Sequence, residues 1–520
     1  MKGIFKMYKN YKSSNGITLV ALVITIVVLL ILASISINMV IGENGIIGKA
    51  SDANKKTGMA QATGKVQMLL ADYLTDKYTN GTDLMTYMNS KEANGEIDKV
   101  TDNGDGTITI EIDGYEVVVK TDDLNIESVE KVGETKANMP EEWVETNKGD
   151  SAWYNYGNAV VNSPSLKGNM TPVIYTGAAS GNKWANAITE DGSMFVWIPR
   201  YAYKITSNYH TNTAGTIEIK FIDTNNNFLD GTSGKPETDP TKITYTGDKQ
   251  NEWLVHPAFT SNAENGGGFG ELTGIWIGKF ETTGDINTLT VKPGIPPLRN
   301  QTINSMWKAA KSTTSASFGE SVDLKQHMMK NSEWGAVVYL GQSKYGTNGT
   351  KIAQNSSTYF TGGSPGTTAT YTGNANQSTT QNAYGVYDLN GGAPEYVASY
   401  VNNGTGSLTE YGADLIIDDN SEAATSTAYK TVYTITNNSQ SVGYNLSSSK
   451  KGDAIYEISN SYNSLSGTWY STYSYFPYSN YPFFVRGGNG NSNSSNTSSF
   501  YFNYSTGGSS SYGFHACLAF

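Results

Sequence analysis

The sequence contains a single cysteine and only four histidines. One thiol cannot form an intramolecular disulfide, and it excludes a zinc site built on several thiolates. No two histidines have a spacing that would place them on one face of a helix. Metal-dependent chemistry therefore has few candidate ligands, and we predict no metal site. The residues concerned are Cys517, His210, His256, His327 and His515.

Charged residues are also scarce, at 16% of the chain against about 25% in typical globular proteins. The net charge is −11, and the first 16 residues carry four lysines and no acid, so the remaining chain sums to −11 − 4 = −15. Nucleic-acid binding needs a basic surface. We therefore predict no nucleic-acid partner.

The length and the residues in excess indicate the kind of architecture. A chain of 520 residues is expected to form several domains. Its 55 glycines and 35 tyrosines favour strands, turns and long loops over helical bundles. We expect a protein rich in β-structure.

Residues 17–41 form a long apolar run without an ionisable side chain. As a helix this run would rise about 37 Å, enough to span a hydrocarbon core of about 30 Å. The preceding lysines place the amino terminus in the cytoplasm by the positive-inside rule. The run predicts a single-pass protein of the cell membrane with a large extracellular carboxy-terminal region. A buried helix and a secretory signal peptide are the alternatives, although a signal peptide has a shorter apolar region.

The junction between the lysine-rich leader and the apolar run is informative. Gly16 is followed by Ile17, Thr18, Leu19 and Val20, and this junction resembles the signal of type IV pilins and pseudopilins. The resemblance implies a leader over residues 1–16, a prepilin peptidase as partner and cleavage between Gly16 and Ile17. Pilins commonly carry Glu at the fifth mature position, where this chain has Ala21, so we favour display over filament assembly.

Residues 42–150 predict a small α+β stalk. Glycines at 42, 45 and 48 are expected to interrupt the membrane helix. A second helix is expected to run to about Tyr78, because its apolar residues follow helical spacing. The segment Thr107–Val119 predicts a hairpin around Asp113-Gly114, a turn pair suited to tight hairpins. The apolar helix residues are Val66, Leu69, Leu70, Tyr73 and Leu74.

Residues 151–520 predict a large α+β domain with long loops, in which 302–342 has a helical pattern. Several segments in this region resemble, in order, the formylglycine-generating enzyme family, a variant of the C-type lectin fold. They are Phe195–Pro199, Ile277–Thr283, Asn331–Tyr339 with Glu333-Trp334, Gly385–Tyr396, Val485–Gly488 and Gly513–His515. The expected fold class is therefore α+β: a transmembrane pilin-like helix, a stalk and a C-type-lectin-fold domain.

This chain departs from the family at positions that carry its chemistry. Gly392, Pro394 and Tyr396 replace Asn, Trp and Trp, which leaves only Glu395 of the segment that supports calcium in relatives. A structural calcium ion is possible on this basis, and no other cofactor is expected. The resemblance to the enzymatic members of this family implies an oxidase that uses a pair of active-site cysteines. This chain has only Cys517, which lies in an apolar strand. We expect a buried, inert thiol and no enzymatic activity.

Residues 458–520 contain one formally charged side chain, Arg486, together with 16 Ser, 9 Tyr and 8 Asn. This combination is the one that antibody loops use for contact. A disordered tract is the alternative. Apolar segments at Tyr481–Val485, Phe500–Phe502 and Ala516–Phe520 favour strands with polar loops between them. Arg486 is expected to serve as a structural hydrogen-bonding hub.

The tail also resembles the variable proteins of diversity-generating retroelements, in which mutagenised adenines yield Asn, Ser, Thr and Tyr but never Lys, Glu or Gln. None of the latter three occurs between Tyr470 and Ser511. The candidate variable region is 470–515, with Phe476, Phe500, Phe502 and Phe514 as scaffold. The candidate ligand-binding residues are Tyr473, Tyr475, Asn480, Asn489, Asn491, Asn493, Ser495, Asn503, Tyr504, Thr506, Ser510 and Tyr512.

These observations together predict a membrane-anchored, surface-displayed protein that binds an external protein or glycan, and that a retroelement diversifies. Two alternatives stay open. One is an oxidase of the formylglycine-generating type, and the other is a structural pilin or pseudopilin subunit.

Overall fold

The structure is a computed structural model, and it describes the chain from residue 46 with several gaps. The predicted leader and membrane helix, including Gly16 and Ile17, lie outside the described residues. The described ranges are 46–131, 139–140, 142–312, 317–319, 323–365, 370–404, 406–417, 425–435, 441–442, 450–460, 467–493 and 496–520.

No helix within these ranges is long and apolar enough to cross a bilayer. This finding contradicts the predicted single-pass membrane localisation. It also corrects the predicted fold class, because what the structure describes is sheet-rich α+β structure with seven separate sheets and no membrane helix.

The chain divides into two compact units, residues 1–133 and 134–520. The sequence placed a boundary near residue 150. The earlier division reflects strand pairing, because Trp143–Glu145 lies antiparallel to Thr171–Tyr175 in a sheet of the second unit. Residues that the sequence assigned to the stalk therefore form an edge strand of the second unit.

Residues 46–131, the described part of the first unit, form two helices and one antiparallel sheet whose strands follow chain order. Its elements are α1 (Ile46–Asn80), α2 (Leu84–Ala93), β1 (Lys99–Asp102), β2 (Thr107–Ile112), β3 (Tyr115–Lys120) and β4 (Ile126–Lys131). Helix α1 includes Gly48, so the expected interruption at that glycine is wrong. Asp83 caps α2 by accepting a hydrogen bond from the backbone of Thr86.

The core of this unit lies between α1 and the sheet. Val66, Leu69, Leu70 and Tyr73 are buried, as the helical spacing predicted, whereas Leu74 is 40% exposed. They pack with apolar residues of β2 and β3. The predicted hairpin is confirmed, with Asp113 and Gly114 both at positive φ between β2 and β3.

The second unit contains twenty strands and three α-helices in the described ranges. The helices are α3 (Ile303–Lys311), α4 (Asn331–Gln342) and α5 (Gly406–Ile416). The strands are β5 (Trp143–Glu145), β6 (Thr171–Tyr175), β7 (Asn186–Ile188), β8 (Met194–Pro199), β9 (Tyr201–Ile205), β10 (Ile217–Phe221), β11 (Tyr245–Thr246), β12 (Lys249–Gln250), β13 (Leu254–Val255), β14 (Gly274–Gly278), β15 (Thr283–Asp285), β16 (Thr288–Thr290), β17 (His327–Met328), β18 (Glu395–Val401), β19 (Thr431–Tyr433), β20 (Ser441–Val442), β21 (Tyr475–Phe476), β22 (Phe483–Gly488), β23 (Thr497–Ser505) and β24 (Ala516–Leu518).

Two sheets of this unit position the carboxy-terminal tail. The larger has the order β17-β24-β14-β8-β7-β6-β5, and the second has the order β19-β18-β22-β23. The three apolar segments predicted to anchor the tail contribute to β22, β23 and β24. The scaffold phenylalanines Phe476, Phe500, Phe502 and Phe514 are all buried, as predicted.

The helical prediction for 302–342 is only partly correct. Helices α3 and α4 lie at its ends, but the short strand β17 lies between them and pairs with β24. Every residue of α4 is buried, so this helix belongs to the interior. The indole of Trp334 in α4 donates a hydrogen bond to the carbonyl of Ser499 in β23, at 2.7 Å, and thereby ties the tail to the core.

Candidate functional site

The site is formed where β22 and β23 run antiparallel, with Val485 opposite Asn503. Successive side chains of a strand point to opposite faces. Phe500 and Phe502 are buried in the main core cluster, so Tyr501 and Asn503 point to the other face. That face, together with the loops on either side, forms a groove.

The groove has a volume of about 490 Å³, within the usual range for small-ligand pockets. All but one of its lining residues come from the tail, and none of them is charged. They are Pro394, Tyr473, Tyr475, Val485, Gly488, Asn489, Ser492, Asn496, Tyr501, Asn503 and Tyr512. We call this surface the tyrosine–asparagine groove.

Five of the twelve candidate ligand-binding residues line this groove, namely Tyr473, Tyr475, Asn489, Asn503 and Tyr512. Six others do not line it. Asn480, Asn491, Asn493 and Ser510 are exposed elsewhere on the tail, whereas Tyr504 and Thr506 are partly buried. Ser495 lies outside the described residues.

Tyr504 shows why composition alone misassigns neighbours on a strand. It alternates with Asn503 and does not line the groove. Its ring packs against Tyr475, Tyr478 and Tyr481, with ring centroids 5.9, 5.2 and 5.0 Å away. Tyr501 was missed, although the buried scaffold residues on either side of it carried the signal. Strand alternation around Phe500 and Phe502 places Tyr501 on the same face as Asn503.

Hydrogen bonds fix the orientation of several groove side chains. The Asn503 amide donates to the Tyr501 hydroxyl at 2.6 Å, and its oxygen accepts from the backbone of Tyr504. Asn489 accepts from the backbone of Asn491 at 2.9 Å. Its side-chain oxygen is thereby held against the loop that follows β22. These contacts position groove polar groups before any ligand arrives.

Burial also keeps two groove phenols neutral over a wider range of pH. It raises the pKa of Tyr501 to about 12, and it raises the pKa of Tyr512. Both rings therefore carry neutral hydroxyls at physiological pH. The Tyr512 ring is braced from behind by Tyr396, at 5.1 Å between centroids.

The only formal charge of the tail lies beneath the sheet. The Arg486 guanidinium is fully buried and donates to Asn331, Asp453 and Ala454 at 3.0 to 3.2 Å. It also lies over the ring of Trp334. Burial lowers the pKa of Arg486 to about 10, so it remains charged at neutral pH. The prediction of a structural hydrogen-bonding hub is confirmed.

The candidate calcium residue, Glu395, is bonded to a histidine. Glu395 and His515 are both fully buried, and Oε2 of the carboxylate lies 2.5 Å from Nδ1 of the ring. Burial raises the pKa of Glu395. Although burial opposes it, the charge of Glu395 raises the pKa of His515.

The neighbouring carboxylates are occupied as well. Asp388 accepts from Asn355 and from the backbone of Gly362, and Glu281 accepts from the backbone of Ala393 at 2.7 Å. Calcium requires six to eight oxygen ligands. The Glu395 carboxylate is instead hydrogen-bonded to His515, and Asp388 and Glu281 accept hydrogen bonds from the protein. These three carboxylates therefore do not fit the ligand set that calcium requires.

One other buried cluster brings together groups able to bind a metal. Ligand atoms of His327, Glu333 and Cys517 lie within 4.8 Å of one another. Glu333 already pairs with His327 at 2.9 Å and with Lys330 at 3.4 Å. Although burial opposes it, these charges lower the pKa of Glu333 to about 2. The Glu333 carboxylate is thus already paired with residues of this chain, and burial raises the pKa of the Cys517 thiol.

No protein-family model matches this chain, and no curated protein matches it. The resemblances to pilins, to formylglycine-generating enzymes and to retroelement variable proteins therefore stay predictions.

Proposed function

We propose that this protein binds a ligand, without catalysis, in the tyrosine–asparagine groove. The observation that carries the proposal is the lining itself. Four tyrosines and three asparagines converge on one concavity, on strands that the core holds by apolar contacts and by the bond between Trp334 and Ser499. Tyrosine gives large contact area at low entropic cost, and asparagine gives adaptable hydrogen bonding.

The chemistry of the surroundings supports binding over catalysis. A nucleophile or general base in the groove would need a perturbed titratable group within reach of substrate. Among the described residues, the groove lining contains no carboxylate, amine, imidazole or thiol. Cys517 is fully buried in β24, and burial raises its pKa, which disfavours the reactive thiolate.

Diversification by a retroelement is part of this proposal. Five candidate exchangeable positions line the groove, whereas the scaffold phenylalanines are buried. Exchanges in the groove would thus change the ligand while sparing the core. Sequencing the neighbouring DNA tests this part. It predicts a reverse transcriptase and a near-copy of the stretch coding for 470–515 that differs only at adenines, and a locus with neither contradicts it.

Ligand binding in the groove can be tested by a saturation-transfer NMR screen of mixed small sugars, peptides and metabolites. The groove variant combines Tyr475→Ala with Asn503→Ala. The matched control combines Tyr481→Ala with Asn480→Ala, which removes the same residue types from exposed positions of the same tail.

We expect compounds that bind the wild type and the control but lose at least tenfold in affinity for the groove variant. Truncation of a central aromatic contact typically costs 2 kcal/mol or more, which is about thirtyfold at room temperature. A screen in which no compound distinguishes the two variants contradicts the proposal, provided that circular dichroism shows both to be folded.

A further inference from the structure

The charge of the groove lining indicates which class of ligand it can bind. Its lining has no charged side chain, and the sequence from 458 to 520 contains no formal charge except Arg486. The Arg486 guanidinium is fully buried and bonded to three acceptors beneath the sheet. It is therefore not available to a ligand on the opposite face.

A charged ligand would find no ion-pair partner among the described residues of such a groove. Transfer of an ion from water costs several kcal/mol unless an opposite charge or several hydrogen bonds compensate. The tail supplies neither a cation for carboxylates, sulfates and phosphates nor an acid for amines. The lining therefore favours a ligand without formal charge.

The polar groups of the groove match hydroxyl groups in particular. A phenol both donates and accepts, and so does a side-chain amide through its two ends. A sugar hydroxyl has the same dual character. The side-chain amide of Asn496 lines the groove and has no hydrogen bond to any of the described residues, so it can meet such a partner without breaking a hydrogen bond within that part of the chain.

The aromatic groups match the remaining surface of a sugar. The rings of Tyr473, Tyr475, Tyr501 and Tyr512 line the same cavity. Pyranose rings expose apolar C–H faces between their hydroxyls, and an aromatic face covers such a patch while its hydroxyl stays polar. A lining of phenols and amides without charge thus fits both surfaces of a neutral saccharide.

The size of the groove separates a small ligand from a protein surface. A standard protein interface buries about 800 Å² on each partner, with roughly 20 to 30 residues a side. Eleven of the described residues line the groove, and its volume of about 490 Å³ lies in the range of small-molecule pockets. Its shape favours the end of a short oligosaccharide over a protein epitope.

We propose that the tyrosine–asparagine groove binds the uncharged end of an oligosaccharide through ring stacking and amide hydrogen bonds, without a metal ion. This inference rests on the proposed binding function and adds the ligand class. Because no ion pair is involved, the affinity is expected to depend little on salt.

The test is an array of neutral oligosaccharides printed beside their sialylated and sulfated derivatives, probed with the wild type in the presence of a chelator. We expect retention on neutral sugars and at least tenfold weaker retention on derivatives charged at the same terminal residue. For a retained sugar, the dissociation constant should change less than twofold between 50 and 500 mM salt.

Variants connect the binding to the groove. Tyr475→Ala and Asn503→Asp should each weaken binding at least tenfold, and Tyr475→Phe should weaken it less, because the ring remains. Tyr481→Ala is the exposed control and should bind as the wild type does.

The outcomes separate the two proposals. Stronger retention on the charged derivatives, or a requirement for added calcium, overturns the saccharide inference. The NMR screen could instead find peptides, or cations such as choline, bound in the groove while the array retains no sugar. That result overturns the saccharide inference but leaves the proposed binding function standing. If neither experiment finds a groove-dependent ligand, both proposals fail.

Discussion

Glu457 offers a sharp test of the electrostatics at the start of the tail. Its carboxylate is fully buried and accepts hydrogen bonds from the hydroxyls of Tyr203 and Tyr339, at 2.5 and 2.9 Å. It also accepts from the backbone of Gly452 at 2.9 Å. Burial, reinforced by the charge of Asp453, raises the pKa of Glu457 from 4.5 to about 7. Replacement by Gln removes the titration and keeps the shape.

The sign follows from proton binding. Between pH 4.5 and 7 the folded state holds a proton on Glu457 that the unfolded state has lost, so the free energy of unfolding falls as the pH rises through this window. Each pH unit is worth about 1.4 kcal/mol for one such group. A rise in the pKa of Glu457 from 4.5 to about 7 on folding therefore changes the free energy of unfolding by about 3 kcal/mol across this window.

The assay is urea unfolding of the wild type and Glu457→Gln at pH values from 4 to 8.5. Titrations shared by the two proteins largely cancel in the difference between their unfolding free energies. Relative to the wild type, the Gln variant should become more stable by about 3 kcal/mol as the pH rises across the window. A difference that stays constant with pH would refute this account of the Glu457 environment.

Three further predictions concern single residues. Arg486→Met should lower the free energy of unfolding, measured in urea, by about 3 to 5 kcal/mol, because it leaves three buried acceptors unpaired. The control is Arg299→Met at a partly exposed position, which should cost less than about 1 kcal/mol. Equal effects of the two substitutions would contradict the role of Arg486 as a structural hub. Cys517 is fully buried, so iodoacetamide should label it only after unfolding, and mass spectrometry that finds rapid labelling of the native protein would disprove the burial. Gly114→Val should destabilise the first unit by about 1 to 2 kcal/mol, because the φ of Gly114 is +77°. Gly64→Ala, in open space on α1, should instead stabilise that unit by up to about 1 kcal/mol. A higher melting temperature for Gly114→Val than for Gly64→Ala would count against the hairpin geometry.

Local features of this fold were predictable from sequence because they depend on neighbouring residues. The hairpin of β2 and β3 follows from alternation and from the Asp113-Gly114 pair, and the buried face of α1 follows from helical spacing. The strands of the tail follow from its apolar segments. Each of these signals lies within a few turns or strands of chain, where periodicity is sufficient.

Long-range pairings were not predictable in this way. Glu395 and His515 meet in the core although 120 residues separate them, and no local pattern encodes that contact. The same contact occupies one oxygen of Glu395, the acid retained in the segment that supports calcium in relatives. Strand β17 was read as helix because its two paired residues lie between two helices.

The region and residue types of the groove could be predicted from the sequence, but the side chains that line it could be predicted only in part. Composition identified the right stretch and the right residue types, and five residues follow from it. Which neighbour points into the groove depends on strand register, which set Tyr501 and Asn503 on one face and Tyr504 on the other. Pro394 lies immediately before β18 and far from the tail in sequence, so only the assembled sheet reveals it.

The most direct test of the central claim is the dissociation constant of one screened ligand for three proteins, measured by titration calorimetry. The account predicts at least tenfold weaker binding to the Tyr475→Ala, Asn503→Ala variant and less than a twofold change for the Tyr481→Ala, Asn480→Ala control. Equal affinity for all three proteins, or a loss confined to the control, would contradict it.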